Sequence, residues 1–139
     1  MRVKFTVPGD PFGWQRAGQN HITGATYTQP KTKIMENAVA WEFKKACKSQ
    51  FPPKTPLCLY VEAYMPIPKS TPWRTQAKMI TGEIRPIVKP DWDNIGKLIS
   101  DALNGVAYDD DKCIVDACVR KFYSENPRTE ITIQEAGSN

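Results

Sequence analysis

KPDWDNIGKLISDALNGVAYDDDKCIVDACVRKF, residues 89–122, reads as a helix, a turn and a strand in succession. Ile95, Leu98, Ile99, Ala102 and Leu103 recur at the i, i+3, i+4, i+7, i+8 spacing of a helix with one buried face. Asp93 suits the N-cap, because its carboxylate can accept a first-turn amide, and Asn104 with Gly105 suits the close. A helix over residues 94–103 is therefore expected, with Asn94, Lys97 and Asp101 on another face. The aspartates of 109–111 make a turn, and residues 113–122 read as the strand that follows.

Outward from this stretch the chain alternates in kind. RVKFTV near the N-terminus places Val3, Phe5 and Val7 on one side of a strand, and PGDP ends it. A Gly-rich polar loop over 9–24 carries Arg16. Residues 33–49 read as a helix whose apolar face combines Ile34, Met35, Ala38, Val39, Trp41 and Ala46, stopped by Pro52, Pro53 and Pro56. Leu57, Leu59, Val61, Ala63 and Met65 alternate with Cys58, Tyr60, Glu62 and Tyr64 as a second strand. A Pro-rich basic stretch over 66–90 follows, in which Thr71-Pro72 opens a short helix ending near Gly82. Residues 128–134 form a last strand. Strands and helices in this order predict an α+β fold, a small mixed β-sheet packed by helices, in one domain spanning 1–139.

The charge is uneven. The whole chain carries a formal +4, yet residues 91–116 hold seven aspartates against Lys97 and Lys112, a local −5. The remainder holds 17 basic and 8 acidic residues, or +9. A basic body around an acidic focus is what a metal-dependent enzyme acting on nucleic acid needs; a solvated surface of uneven charge is the plainer alternative. No apolar run approaches a membrane span and the N-terminus lacks a signal-peptide core, so a cytoplasmic protein is expected. Cys47, Cys58, Cys113 and Cys118 form no CxxC pair, and His21 is the lone histidine, so buried free thiols are expected rather than a zinc site.

If the strand at 113–122 neighbours the segment entering the 94–103 helix, Asp91, Asp93 and Asp110 or Asp111 converge. Two carboxylates about 4 Å apart repel by about 4 kcal/mol at an effective dielectric of 20, and a divalent cation removes that cost. Oxygen ligands without histidine or thiolate select Mg²⁺, or Mn²⁺ in its place. Lys97, one turn beyond Asp93, can serve a phosphate or simply pair with Asp93 or Asp101. Asp91-x-Asp93-x-x-Gly96 opens like a calcium loop, but Ile95 and Ala102 stand where ligands are required. A helix cap plus an acidic turn is the other structural alternative.

Lys89-Pro90-Asp91-Trp92-Asp93-Asn94, Lys97, Asp101-Ala102-Leu103-Asn104-Gly105, Asp110-Asp111 and Ile114-Val115-Asp116 together resemble the signature of RusA-type Holliday junction resolvases, and VPGDPFGWQR and YTQPKTK resemble that family's opening. The resemblance implies a Mg²⁺-dependent endonuclease of bacterial or phage origin, a homodimer that resolves four-way DNA junctions by paired nicks in recombination and repair. It implies Asp91, Asp93, Lys97 and Asp111 as catalytic residues, with Asp91, Asp93, Asp110 and Asp111 toward the metal. Asp109 makes a third consecutive aspartate that the pattern does not require. Arg16, Lys69, Arg74, Lys78, Arg85 and Lys89 become candidates for the DNA backbone, Lys31 and Lys33 lesser ones, and Trp73 and Trp92 candidates to stack on opened bases. Tyr60, Tyr64, Phe122 and Tyr123 are candidates for a dimer surface. A junction-binding protein without cleavage, or a nuclease for other branched DNA, are the functional alternatives.

Overall fold

The computed structural model describes residues 1–137. Its elements are β1 (Arg2–Pro8), β2 (Gly18–Gln19), β3 (Thr26–Tyr27), α1 (Pro30–Ala46), β4 (Leu57–Pro66), α2 (Trp73–Ile80), α3 (Trp92–Leu103), β5 (Ile114–Ser124) and β6 (Arg128–Glu135), with a 3-10 turn Asp111–Cys113 before β5. Four strands form one mixed sheet in the order β1-β6-β4-β5. The β4–β5 pair is parallel and the other two pairs are antiparallel. The fold is α+β, as the pattern of elements predicts.

A parallel neighbour requires a crossover, because the chain leaving the end of β4 must return to its beginning before β5 can start. The segment carrying α2 and α3 makes that return. The β1 alternation puts Val3, Phe5 and Val7 in the core, β4 adds Leu59, Val61 and Ala63, and β6 adds Ile131 and Ile133. The Ile95, Leu98, Ile99, Ala102 and Leu103 face of α3 is buried as its spacing requires.

Helix α1 departs from its expected face. It begins at Pro30, where proline costs no hydrogen bond, and its buried residues are Thr32, Val39 and Phe43. Ile34 and Trp41 remain exposed, because α1 packs on α3 and β1 and these two side chains lie off the face that Thr32, Val39 and Phe43, with partly buried Met35 and Ala38, turn to the core. Phe43 meets Phe5 edge to face with ring centroids 5.7 Å apart. Thr32 is fully buried, and among the described residues its hydroxyl has no hydrogen-bond partner. An unpaired buried hydroxyl opposes folding, so Thr32→Val should be neutral or stabilising by up to about 1 kcal/mol in thermal unfolding. A loss of stability would mean that the hydroxyl is bonded.

The loop expected over 9–24 contains one strand of the small β2–β3 hairpin, which is too short to show a periodicity. All four cysteines are free, but only Cys58 is buried; the others are half-buried. Among the described residues, no helix is long and apolar enough to cross a membrane.

Candidate functional site

The N-terminus of α3 lies earlier than its periodicity suggests. Asp91, not Asp93, is the N-cap, with extended backbone (φ −69°, ψ 152°), and its carbonyl accepts the first helical bond from Ile95 N at 3.1 Å. Both aspartates are chemically suitable caps, and the apolar spacing cannot choose between them. Asp93 therefore lies in the first turn, where the positive end of the helix favours a negative charge, and its Oδ1 accepts the Asn94 amide at 3.0 Å. The Asp91 side chain makes no capping hydrogen bond.

The segment entering α3 is not a strand. The acidic residues approach because α3 packs beside β5 and the chain turns back into that strand directly after the helix. Gly105, at φ +73°, makes the left-handed turn, and Asn104 Oδ1 then accepts the amide of Asp111 at 2.8 Å. Tyr108 is buried beneath the turn and donates its hydroxyl to the Ser100 carbonyl at 2.8 Å. Burial, and then the charges of Asp111, Asp101 and Asp110, hold the Tyr108 phenol far above its usual range. It is thus a neutral donor that ties the turn to α3.

This arrangement brings Asp93 and Asp111 to one cavity of about 290 Å³ between α3 and β5, which Trp92, Gly96 and Ser100 also line. Asp91 is exposed and outside that lining. Asp110 adjoins Asp111. The amide of Lys112, donated to Asp110 Oδ1 at 3.0 Å, holds Asp110 below the usual carboxylate range. Partial burial, and then the hydrogen bond and charge of Asp110, push Asp111 up, with Lys97 opposing. Asp109 is exposed.

Lys97 pairs with Asp101 at 3.2 Å, the within-helix alternative expected for it, and lies 4.9 Å from the centre of the Trp14 ring. Trp14 reaches α3 because its amide donates to the Asn94 carbonyl at 2.9 Å. Gly13 permits this docking: a Cβ there would fall 2.8 Å from Pro90 Cβ and 3.1 Å from Asn94 Cβ. Glu36 of α1 adds another carboxyl, pushed up by partial burial and then by the Asp101 charge, while Lys33 and Lys97 oppose. Trp14, Glu36, Asn104 and Tyr108 are absent from the sequence-derived site. Asn104 had a local signal, as part of the helix close, and Trp14 lies in the VPGDPFGWQR stretch; Glu36 comes in from α1 and Tyr108 from the turn after α3.

Among the described residues, no three His, Cys, Asp or Glu side chains gather closely enough to form a metal-binding group. Two carboxylates on one cavity still fit a hard cation such as Mg²⁺, which keeps several waters and commonly uses one or two carboxylates. The partly desolvated Asp111 beside Asp110 is a site where added positive charge relieves repulsion.

Arg16, Lys69, Arg74, Lys78 and Lys89 are exposed, and among the described residues none forms an ion pair. Arg74 lies over its neighbour Trp73, 5.3 Å from the ring centre, and Lys31 lies 5.0 Å over Phe12. Arg85 is engaged within the protein: it lies 4.1 Å over Phe122, and its Nε donates to the Lys121 carbonyl at 2.9 Å. Phe122 stacks on Tyr64 at 5.5 Å, and Arg128 covers Tyr64 at 4.0 Å. Trp73 and Trp92 are both mostly exposed.

A family model described as Endodeoxyribonuclease RusA matches residues 8–134. The chain is also similar to a Bacillus subtilis (strain 168) protein named as uncharacterised protein YqaN. The two are 37% identical over 144 residues, covering 98% of each.

Proposed function

Because the chain belongs to the endodeoxyribonuclease RusA family, we propose that it is a divalent-metal-dependent resolvase that nicks opposed strands of four-way DNA junctions. The observation that carries this reading is the meeting of Asp93 and Asp111 at one cavity beside Lys97's helix. Asp93 and Asp111 would hold Mg²⁺ or Mn²⁺, with Asp91 and Asp110 completing the acidic rim. Bound there, the ion supplies the Lewis-acid charge that phosphodiester hydrolysis needs as negative charge builds on the phosphate.

The chain's own residues supply the rest. Asn104 and Tyr108 fix the turn that presents Asp111. Lys97 exchanges its exposed pairing with Asp101, worth only a few tenths of a kcal/mol, for the scissile phosphate. The exposed basic side chains Arg16, Lys69, Arg74, Lys78 and Lys89 receive the DNA backbone. Two copies related by a two-fold axis would present one site to each of two equivalent strands of a junction. The protein acts in the cytoplasm of a bacterium, or is carried there by a phage, in DNA recombination and repair.

Two measurements test the metal and the substrate separately. A cation bound only by the folded chain at about 100 times its dissociation constant adds about 2.7 kcal/mol of stability. Mg²⁺ should therefore raise the melting temperature by roughly 5–10 °C, and Asp111→Asn should remove most of that rise. An equal rise in both proteins would place the ion elsewhere. In EDTA, competition binding should favour a four-way junction over a linear duplex by at least about tenfold; equal affinity would mean a general DNA-binding surface.

A further inference from the structure

The cavity bordered by Asp93 and Asp111 is more apolar than a metal site requires. Its floor is Leu59, Ile114, Ala117 and Val119, and Trp92 stands beside it with 66% of its surface exposed. A hydrated cation and a phosphate gain nothing from such a floor. Gly96, also on the lining, sits in the interior of α3, where glycine is disfavoured relative to alanine. Packing does not demand it. A Cβ at Gly96 would meet only Val119 Cγ2, at an ordinary 3.5 Å. The missing side chain leaves room for a ligand to approach the helix backbone instead.

We propose that this cavity is a nucleobase subsite, which takes one unstacked base from the branch point while the adjoining phosphate lies at Asp93 and Asp111. The inference rests on the nuclease reading above and specifies the substrate group that the same site recognises. In a polynucleotide, the planar, largely apolar group nearest any phosphate is a base, one sugar away. A scissile phosphate positioned by Lys97 beside the carboxylates therefore brings a base to the apolar floor. Trp92 offers an exposed ring on which that base stacks, an interaction every base can make. Extruding a base is least costly where it is already unpaired, so the subsite favours a branch point over continuous duplex.

The test measures dissociation constants in EDTA for junctions in which single nucleotides at the crossover are replaced in turn by an abasic residue. One position should weaken binding to the wild type about tenfold. Gly96→Leu, whose side chain fills the cavity, should bind the intact junction about tenfold more weakly and lose the penalty at that position. Gly96→Ala adds only a methyl to the lining and should shift binding and the abasic penalty in the same direction but by less, so that the effect follows side-chain volume. The proposal is overturned if no abasic position weakens the wild type, or if the penalty persists unchanged in Gly96→Leu. It is also overturned if Gly96→Leu alters only self-association, which would assign the cavity to a contact between copies of the chain. A wild type that binds no branched DNA would overturn the nuclease reading and this subsite with it.

Discussion

Asp93→Asn and Asp111→Asn should each lower the rate of junction cleavage by at least about a thousandfold while changing junction affinity by less than about threefold. Asparagine keeps the size and shape of the side chain and removes the charge that draws a cation. Neither carboxylate holds the fold together. Asp93 is exposed on the first turn, and Asp111 is fixed through its backbone amide rather than its side chain. Loss of cleavage would therefore report chemistry, and circular dichroism should show an unchanged fold. Asp91→Asn is a sharper case, because asparagine caps a helix as well as aspartate does. If Asp91 reaches the ion from the cap, its replacement should match the other two in rate. If cleavage survives at near the wild-type rate, Asp91 is only the cap that the structure shows it to be.

Lys97→Ala should slow cleavage about 10²–10³-fold, the usual effect of removing one donor from developing negative charge, and weaken junction binding far less. The ion pair with Asp101 is exposed and within one helix, so its loss alone should barely affect stability. Asp101→Asn is the informative partner. It frees Lys97 without removing it, so cleavage should persist if the lysine serves the phosphate. If Lys97→Ala and Asp101→Asn had equal effects on rate, the salt bridge itself would be the functional unit. Equal losses of binding and of rate in Lys97→Ala would assign the lysine to backbone positioning.

Helix α3 was legible because its apolar residues follow one unbroken helical spacing and its burial needs only one face. Helix α1 was less so. Ile34 and Trp41 supply hydrophobicity without burial, whereas the stripe that packs includes Thr32, a residue that hydropathy alone would exclude. The apolar spacing of α3 points to Asp93 as its cap, two residues past the actual Asp91, because both aspartates are equally able to start a helix. In the site, the motif residues lie on one short stretch of chain and could be named from it. What the sequence hid is the support around Lys97 and Asp111. Trp14 depends on a loop docked through Gly13, Glu36 depends on α1 crossing α3, and Tyr108 depends on a turn folding beneath the helix. None of these contacts has a local periodicity.

Nick mapping on a synthetic four-way junction, with each strand labelled in turn and with Mg²⁺ or EDTA present, tests the central claim most directly. Paired nicks at symmetric positions in two opposed strands, absent from a linear duplex of the same sequence and absent in EDTA, are the expected result. Tight junction binding without cleavage under Mg²⁺ or Mn²⁺, or nicking that persists in EDTA, would contradict it.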